Sequence, residues 1–324
     1  MPIRRRSNVW RARLPLSNSS IDESDAARVA AVIARVPGWN GRAHVVGALT
    51  GGITYRNHVV DVDGARFVVR VPGPDTELLE IDRECELVAA TRAAGLGIAP
   101  PVLGVFDGCL VTAFVTGSEI APEAFRQPEQ LAAIAGMLRA FHDSDPLPHH
   151  FDGFEVPRLH HDAAIARSVP IPREYDRVAA IVDEIARAFA TTPEGKVPCH
   201  NDLLRANFLR DGPRLWLLDW EYAGMNDRAF DLGNLAVNNE LDPDAEEHLV
   251  AAYHGGVTAR TLARLRLMKL VSDAREAMWG VVQQGISTID FDYGGYATEH
   301  AARLLAGATT PDYRRWLDDA ATAA

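Results

Sequence analysis

Apolar positions recur at helical spacing near the start of the chain, at Ile21, Val29, Val32 and Ile33, and predict a helix over residues 22–35. The pattern then shifts to short β-type runs at 44–49, 56–62 and 66–71, with Asp63-Gly64 as a hairpin turn between the last two. Residues 81–94 return to helical spacing and stop at Gly95. Two more runs, 102–106 and 109–115, flank a second turn, Asp107-Gly108. Past Gly117 the pattern is almost wholly helical, over 128–142, 175–190, 245–253, 262–284 and 296–305. The stretch 146–172, with its histidines and prolines, reads as an irregular connection. The class is α+β, a small β-rich lobe followed by a larger helical one. The expected divisions are an arm over 1–24, a β-rich N-lobe over 25–116 and a helical C-lobe over 117–324.

Composition narrows the partners. The formal net charge is −11 over 324 residues, so nucleic acid is a poor partner, whereas a cationic small molecule suits an acidic pocket. No apolar run approaches the roughly 18 to 20 residues of a membrane helix, so no membrane insertion is expected. The basic start Met1 to Arg6 has no hydrophobic segment behind it, which argues against a secretory signal. Three cysteines without ligand spacing point to a reducing cytoplasm rather than a disulfide framework. Oligomeric state stays open, with a homodimer among the options.

The densest chemistry lies in His200-Asn201-Asp202-Leu203-Leu204-Arg205-Ala206-Asn207. This H-x-D-x-x-x-x-N spacing suits transfer of a phosphoryl group from ATP: Asp202 accepts the substrate hydroxyl proton, and Asn207 reaches a metal ion on the phosphates. Twelve residues after Asn207, the apolar run 215–218 delivers Asp219, a second metal ligand by the same logic. Earlier, Gly51, Gly52 and Thr54 sit in a turn where backbone N–H groups approach phosphate closely. Arg70, a cation inside the apolar run 67–71, needs a partner. In kinases that cation grips the α- and β-phosphates and pairs with a helix glutamate; Glu86 is preferred here, with Glu84 as the other choice. Phe114 falls where a hinge between lobes would offer backbone groups to adenine. Asp231 either caps a helix or orients the catalytic loop backbone. The run 279–296 concentrates aromatic and acidic residues, a composition that suits an ammonium group through cation–π attraction, with an ordinary aromatic core as the other reading.

Taken together, residues 200–209, 218–234 and 279–296 resemble the choline/ethanolamine kinase family, within the kinase-like fold shared with aminoglycoside phosphotransferases. The resemblance implies a bilobal protein-kinase-like fold, ATP and Mg²⁺ as cofactors, and a small cationic amino alcohol, choline first and ethanolamine next, as substrate. It implies Asp202 as hydroxyl orienter, Asn207 and Asp219 on Mg²⁺, and Arg70 on the phosphates. Tyr222, Trp279 and Tyr296, with Phe291, line the ammonium pocket. Two departures stand out. A second Trp one turn before Trp279 is replaced by Glu276, and the acid expected at 238 is Asn238, with Glu240 two further on. More carboxylate and less aromatic surface shift the cage toward a primary amine or another amino alcohol. The competing readings are a thiamine or aminoglycoside kinase on the same fold, and a non-catalytic nucleotide-binding pseudokinase.

Overall fold

The computed structural model describes residues 16–17, 23–49, 55–73, 76–287 and 289–323. The chain forms two compact units. One takes in the described residues before Pro74, with Ala93–Ile120 and Ala206–Leu218; the other takes in Asp75–Arg92, Ala121–Arg205 and Asp219–Ala324.

The first unit is built on antiparallel hairpins. Ala43–Leu49 pairs with Tyr55–Val62, which pairs with Ala65–Pro72. That strand pairs in turn with Cys109–Ala113, and Val102–Phe106 closes the edge. Both expected turns form. Asp63 and Gly64 have φ of 52° and 88°, and Asp107 and Gly108 have 52° and 72°, the left-handed pairs that a two-residue hairpin requires. The helix Glu23–Arg35 lies on this sheet. Its Val29 and Val32 join Val36, Trp39, Val60, Val62, Val69, Val71 and Val111 in one core, with Ile33 partly buried beside them. Burying each such side chain is worth about 1.5–3 kcal/mol. Ile21 lies outside the described residues. A second, three-stranded sheet joins Ser118–Glu119, Phe208–Asp211 and Arg214–Leu217.

The second unit is helical around one long element, Ala259–Ile286. Twenty of its 28 residues are buried, including Arg260, Arg264, Asp273, Arg275 and Glu276. A helix buried nearly all round has to pair its charges internally. Asp273 does so with His300 at 2.8 Å and with Arg303 through both carboxylate oxygens. Thr258 and Thr261 form a reciprocal capping box at its start. The helix Arg228–Asn238 crosses it closely: a Cβ on Gly233 would lie 2.7 Å from the Met268 carbonyl carbon, so only glycine fits there.

Pro128–His142 forms with the expected bounds, and Tyr175–Thr191, Pro243–His254 and Tyr293–Ala308 form within a few residues of theirs. One expectation is corrected. The stretch 146–172 is not irregular throughout, because Val156–Ala166 is a helix with Pro157 in its first turn, where proline's missing N–H costs nothing. Cys85, Cys109 and Cys199 are buried free thiols. No described helix is long and apolar enough to cross a membrane.

Candidate active site

The loop from His200 leaves the short strand Val197–Cys199, which pairs antiparallel with Gly224–Asn226. Amides that pass from a strand into a buried loop need acceptors. Asp231 supplies them from the helix Arg228–Asn238. Its Oδ2 accepts the His200 amide at 2.9 Å, and its Oδ1 accepts the Asn201 amide at 2.7 Å. His142 Nε2 lies 3.0 Å from the same carboxylate, and His142 Nδ1 lies 2.6 Å from the Tyr253 hydroxyl. Burial pushes the Asp231 carboxyl up, but the hydrogen bond and charge of His142, followed by His200, outweigh it and hold it below the usual range. Of the two roles left open for Asp231, it fills the loop-orienting one. The helix cap is Asp227, which accepts the Ala229 amide at 2.9 Å.

The rest of the loop is tied down as closely. Asn201 adopts φ 66°, a conformation that Asn tolerates better than most residues. Its side chain donates to the Tyr222 carbonyl at 2.9 Å and accepts from Asn226 at 2.8 Å. The Leu203 amide donates to Asn234 Oδ1 at 2.5 Å, Asn234 donates on to Ser272, and Asn239 donates to the Leu203 carbonyl. Asp202 therefore stands on a backbone fixed on both sides, the preorganisation that a positioned acid or base needs. Its own amide donates to His200 Nδ1 at 3.2 Å.

A polar and aromatic cluster surrounds the Asp202 carboxylate. Arg275 Nη1 lies 3.4 Å from Asp202 Oδ1 and 2.5 Å from Glu276 Oε1. The guanidinium stacks 4.2 Å from the centre of the Tyr222 ring. Trp279 Nε1 donates to the Tyr222 hydroxyl at 3.0 Å, and the Tyr296 hydroxyl donates to Glu276 Oε2 at 2.6 Å. Burial, then Glu221, pushes the Tyr222 phenol well up; burial, then Glu276, does the same to Tyr296, so both stay protonated donors. Burial disfavours the Arg275 cation, but Glu276 and Asp202 more than restore it. Burial also raises the Glu276 carboxyl, and Arg275 more than reverses this, so the pair is ionic. His160 is fully buried in Val156–Ala166, and burial, reinforced by the Arg275 charge, pushes its pKa down to about 3.

Asp202, Tyr222, Trp279 and Tyr296 thus lie in one cluster around Arg275 and Glu276. Phe291 sits at the margin, 6.0 Å ring to ring from Tyr296 and 4.8 Å from Tyr293. Glu240 does not join them. It lies past the end of Arg228–Asn238 with φ 51°, its side chain is 80% exposed, and it faces Arg126 at 3.9 Å. Its expected place in the pocket is therefore corrected. The turn that carries it closes the helix and points the carboxylate outward. Asp219 is half-buried with φ 67°. Asn207 is buried in the turn Arg205–Asn207, and its carbonyl accepts the Leu218 amide at 2.8 Å. Both side chains offer oxygen, the donor that Mg²⁺ takes. Arg70 is buried on Ala65–Pro72, opposite Asn57 and Leu110. Glu86 is buried and accepts from Arg83 at 3.1 Å, whereas Glu84 is exposed. Phe114 is half-buried, and its amide donates to the Arg66 carbonyl at 2.9 Å. Gly51, Gly52 and Thr54 lie outside the described residues.

Sequence reasoning passed over Arg275 and read Glu276 as a replaced tryptophan that adds carboxylate to the pocket. The available signal was a pair of opposite charges in the middle of a predicted helix rich in apolar residues. His142, Cys199 and Asp231 bring ligand-type atoms within 4.8 Å of one another. Both His142 nitrogens are already engaged, and burial holds the Cys199 thiol well up, so this is a hydrogen-bond network and not a metal centre.

Residues 46–268 match the family model described as the phosphotransferase enzyme family. Among solved structures, the chain is similar to a choline/ethanolamine kinase family protein from Mesorhizobium loti. The identity is 31% and the TM-score 0.76, and the match covers 92% of this chain and 99% of that one. Among curated proteins it is 28% identical to Protein LicA of Haemophilus influenzae, covering 63% of this chain and 61% of LicA. It is 30% identical to human ethanolamine kinase 2, covering 71% of this chain and 66% of that one. The chain thus spans about three fifths to two thirds of the length of these curated relatives. With its kinase-like α+β fold and a matched segment that contains the Asp202 loop, the chain belongs to the phosphotransferase enzyme family and, within it, to the choline/ethanolamine kinase family.

Proposed function

We propose that this protein transfers the γ-phosphoryl group of ATP to the hydroxyl of a small amino alcohol bearing a primary amine, ethanolamine before choline. The observation that carries the reading is the Asp202 carboxylate, fixed from below by Asp231 and set among Tyr222, Trp279, Tyr296 and Glu276. In the reaction, an Asp202 oxygen accepts the hydroxyl proton as the alcohol oxygen bonds to the γ-phosphorus. The bond from that phosphorus to the bridging oxygen breaks, and ADP leaves with its electron pair. Arg70 would supply a fixed positive charge for the nucleotide phosphates, and the Asn207 and Asp219 oxygens would hold Mg²⁺. When bound, Mg²⁺ neutralises charge on the phosphates. Catalysis comes mainly from positioning and fixed charge.

The primary amine is preferred because the Tyr222 face, which a quaternary ammonium would need, already carries the Arg275 guanidinium at 4.2 Å. In addition, Glu276 offers a carboxylate where an aromatic wall was expected. A coupled ADP-release screen tests the reading with ethanolamine, choline, thiamine and aminoglycosides. Release with amino alcohols supports it. Release with thiamine or aminoglycosides alone transfers the chain to those substrates, and ATP binding without release on any alcohol makes it a pseudokinase.

A further inference from the structure

We infer that Arg275 is a specificity-determining residue: it occupies the aromatic face that would hold a quaternary ammonium, and offers its free donors to a second, uncharged oxygen on the substrate. The inference rests on the amino-alcohol kinase reading above and narrows its substrate to an amino alcohol with a hydroxyl beside the one that reacts.

A guanidinium carries five N–H donors and no acceptor. Arg275 is 2% exposed, and its Nη1 is engaged by Asp202 and Glu276. Its Nε and Nη2 are buried with no hydrogen-bond partner among the described residues. Buried charged donors without acceptors carry a desolvation cost, so a ligand oxygen that accepts from them gains binding energy. The guanidinium plane also covers the Tyr222 ring. A trimethylammonium would have to displace it, and would meet a like charge in a site of low dielectric.

Local charge selects the kind of oxygen. Asp202 and Glu276 already outnumber Arg275, and Glu221 is buried beside Tyr222. A carboxylate on the ligand would therefore face a surplus of negative charge, whereas a neutral hydroxyl would not. The same surplus suits the primary ammonium at the other end of the ligand. A site built to hydrogen-bond a substrate oxygen discriminates strongly against the analogue that lacks it.

The test compares kcat/KM for 2-amino-1,3-propanediol, ethanolamine, serine and choline in the parent, Arg275→Met and Arg275→Lys. The parent should favour the diol over ethanolamine by about 10- to 100-fold and over choline by more. Arg275→Met should collapse the diol preference and raise choline relative to ethanolamine. Arg275→Lys keeps the charge without the fork, so it should lose the diol preference and still reject choline. Should Arg275→Met fail to fold, the lysine variant decides alone. Equal ratios in the parent and the folded variants overturn the inference, as does a parent that prefers choline or serine to the diol. Calorimetric titration of the same ligands into the Mg²⁺-ADP-loaded protein separates the two proposals. Arg275-dependent diol binding without turnover sinks the kinase reading and keeps the inference. Turnover of amino alcohols with no Arg275 dependence does the reverse.

Discussion

In the proposed reaction Asp202 carries the greatest chemical demand, because its one carboxylate would receive the hydroxyl proton. Asp202→Asn keeps the shape and removes the proton acceptor. We expect kcat to fall by about 10²- to 10⁴-fold, with Mg²⁺-ATP affinity by calorimetry nearly unchanged. A kcat within threefold of the parent would remove Asp202 from this role. His160 gives a second prediction at this scale. Its folded pKa is pushed down to about 3 by burial and by Arg275, from an ordinary value near 6.5. Between those values the unfolded chain binds a proton that the folded chain refuses. Stability therefore rises with pH across the window and is lost as pH falls from about 6.5 toward 3, at up to about 1.4 kcal/mol per pH unit from this group. Urea midpoints at pH 7 and pH 5 should drop less in His160→Gln than in the parent, and equal drops would contradict the assignment. Candidates that depend on local spacing, such as Asp202 and Asp219, could be nominated from the sequence. Arg275 was not, because its role comes from Asp202 and Tyr222, which are 73 and 53 positions away in sequence. Glu240 was misplaced because counting along the chain cannot see that the helix ends at Asn238 and turns the next acid outward.

Elements matter here through the contacts they make with the loop. The helix Arg228–Asn238 lends Asp231 and Asn234 to the backbone of residues 200–203, and Pro128–His142 lends His142 to Asp231. Asp231→Ala leaves the His200 and Asn201 amides without their acceptor. It should cost about 2–5 kcal/mol of stability by urea unfolding, because each buried donor left unpaired costs about 1–3 kcal/mol. In the folded fraction kcat should fall more than the KM for ATP rises, since the loop and not the nucleotide is loosened. A fully stable variant with parental kcat would show that the clamp is not needed. Most helices and both Asp-Gly hairpins were legible because caps, turns and periodicity are written within a few residues of each other. The helix Val156–Ala166 was hidden among the histidines and prolines of 146–172, although Pro157 stands in its first turn, where proline is tolerated. The long helix Ala259–Ile286 was expected over 262–284, but its burial on almost every side was not, because it depends on charges that pair inside.

At the scale of the molecule, the order of elements alone gave the class: hairpins first, then helices, with the loop motif inside the second group. The family model over residues 46–268 and the match to the Mesorhizobium loti structure agree with that class. Fold and family leave the acceptor alcohol open, since one fold hosts many substrates. Under the proposed function, the choice of acceptor falls to the cluster of Tyr222, Arg275, Glu276, Trp279 and Tyr296. The most direct test is phosphorus NMR of purified protein incubated with Mg²⁺-ATP and a primary amino alcohol. The account predicts a new phosphate-monoester resonance that grows in step with ADP, and that disappears with Asp202→Asn. ATP loss to ADP and inorganic phosphate with no monoester, or a monoester that persists in Asp202→Asn, would contradict it.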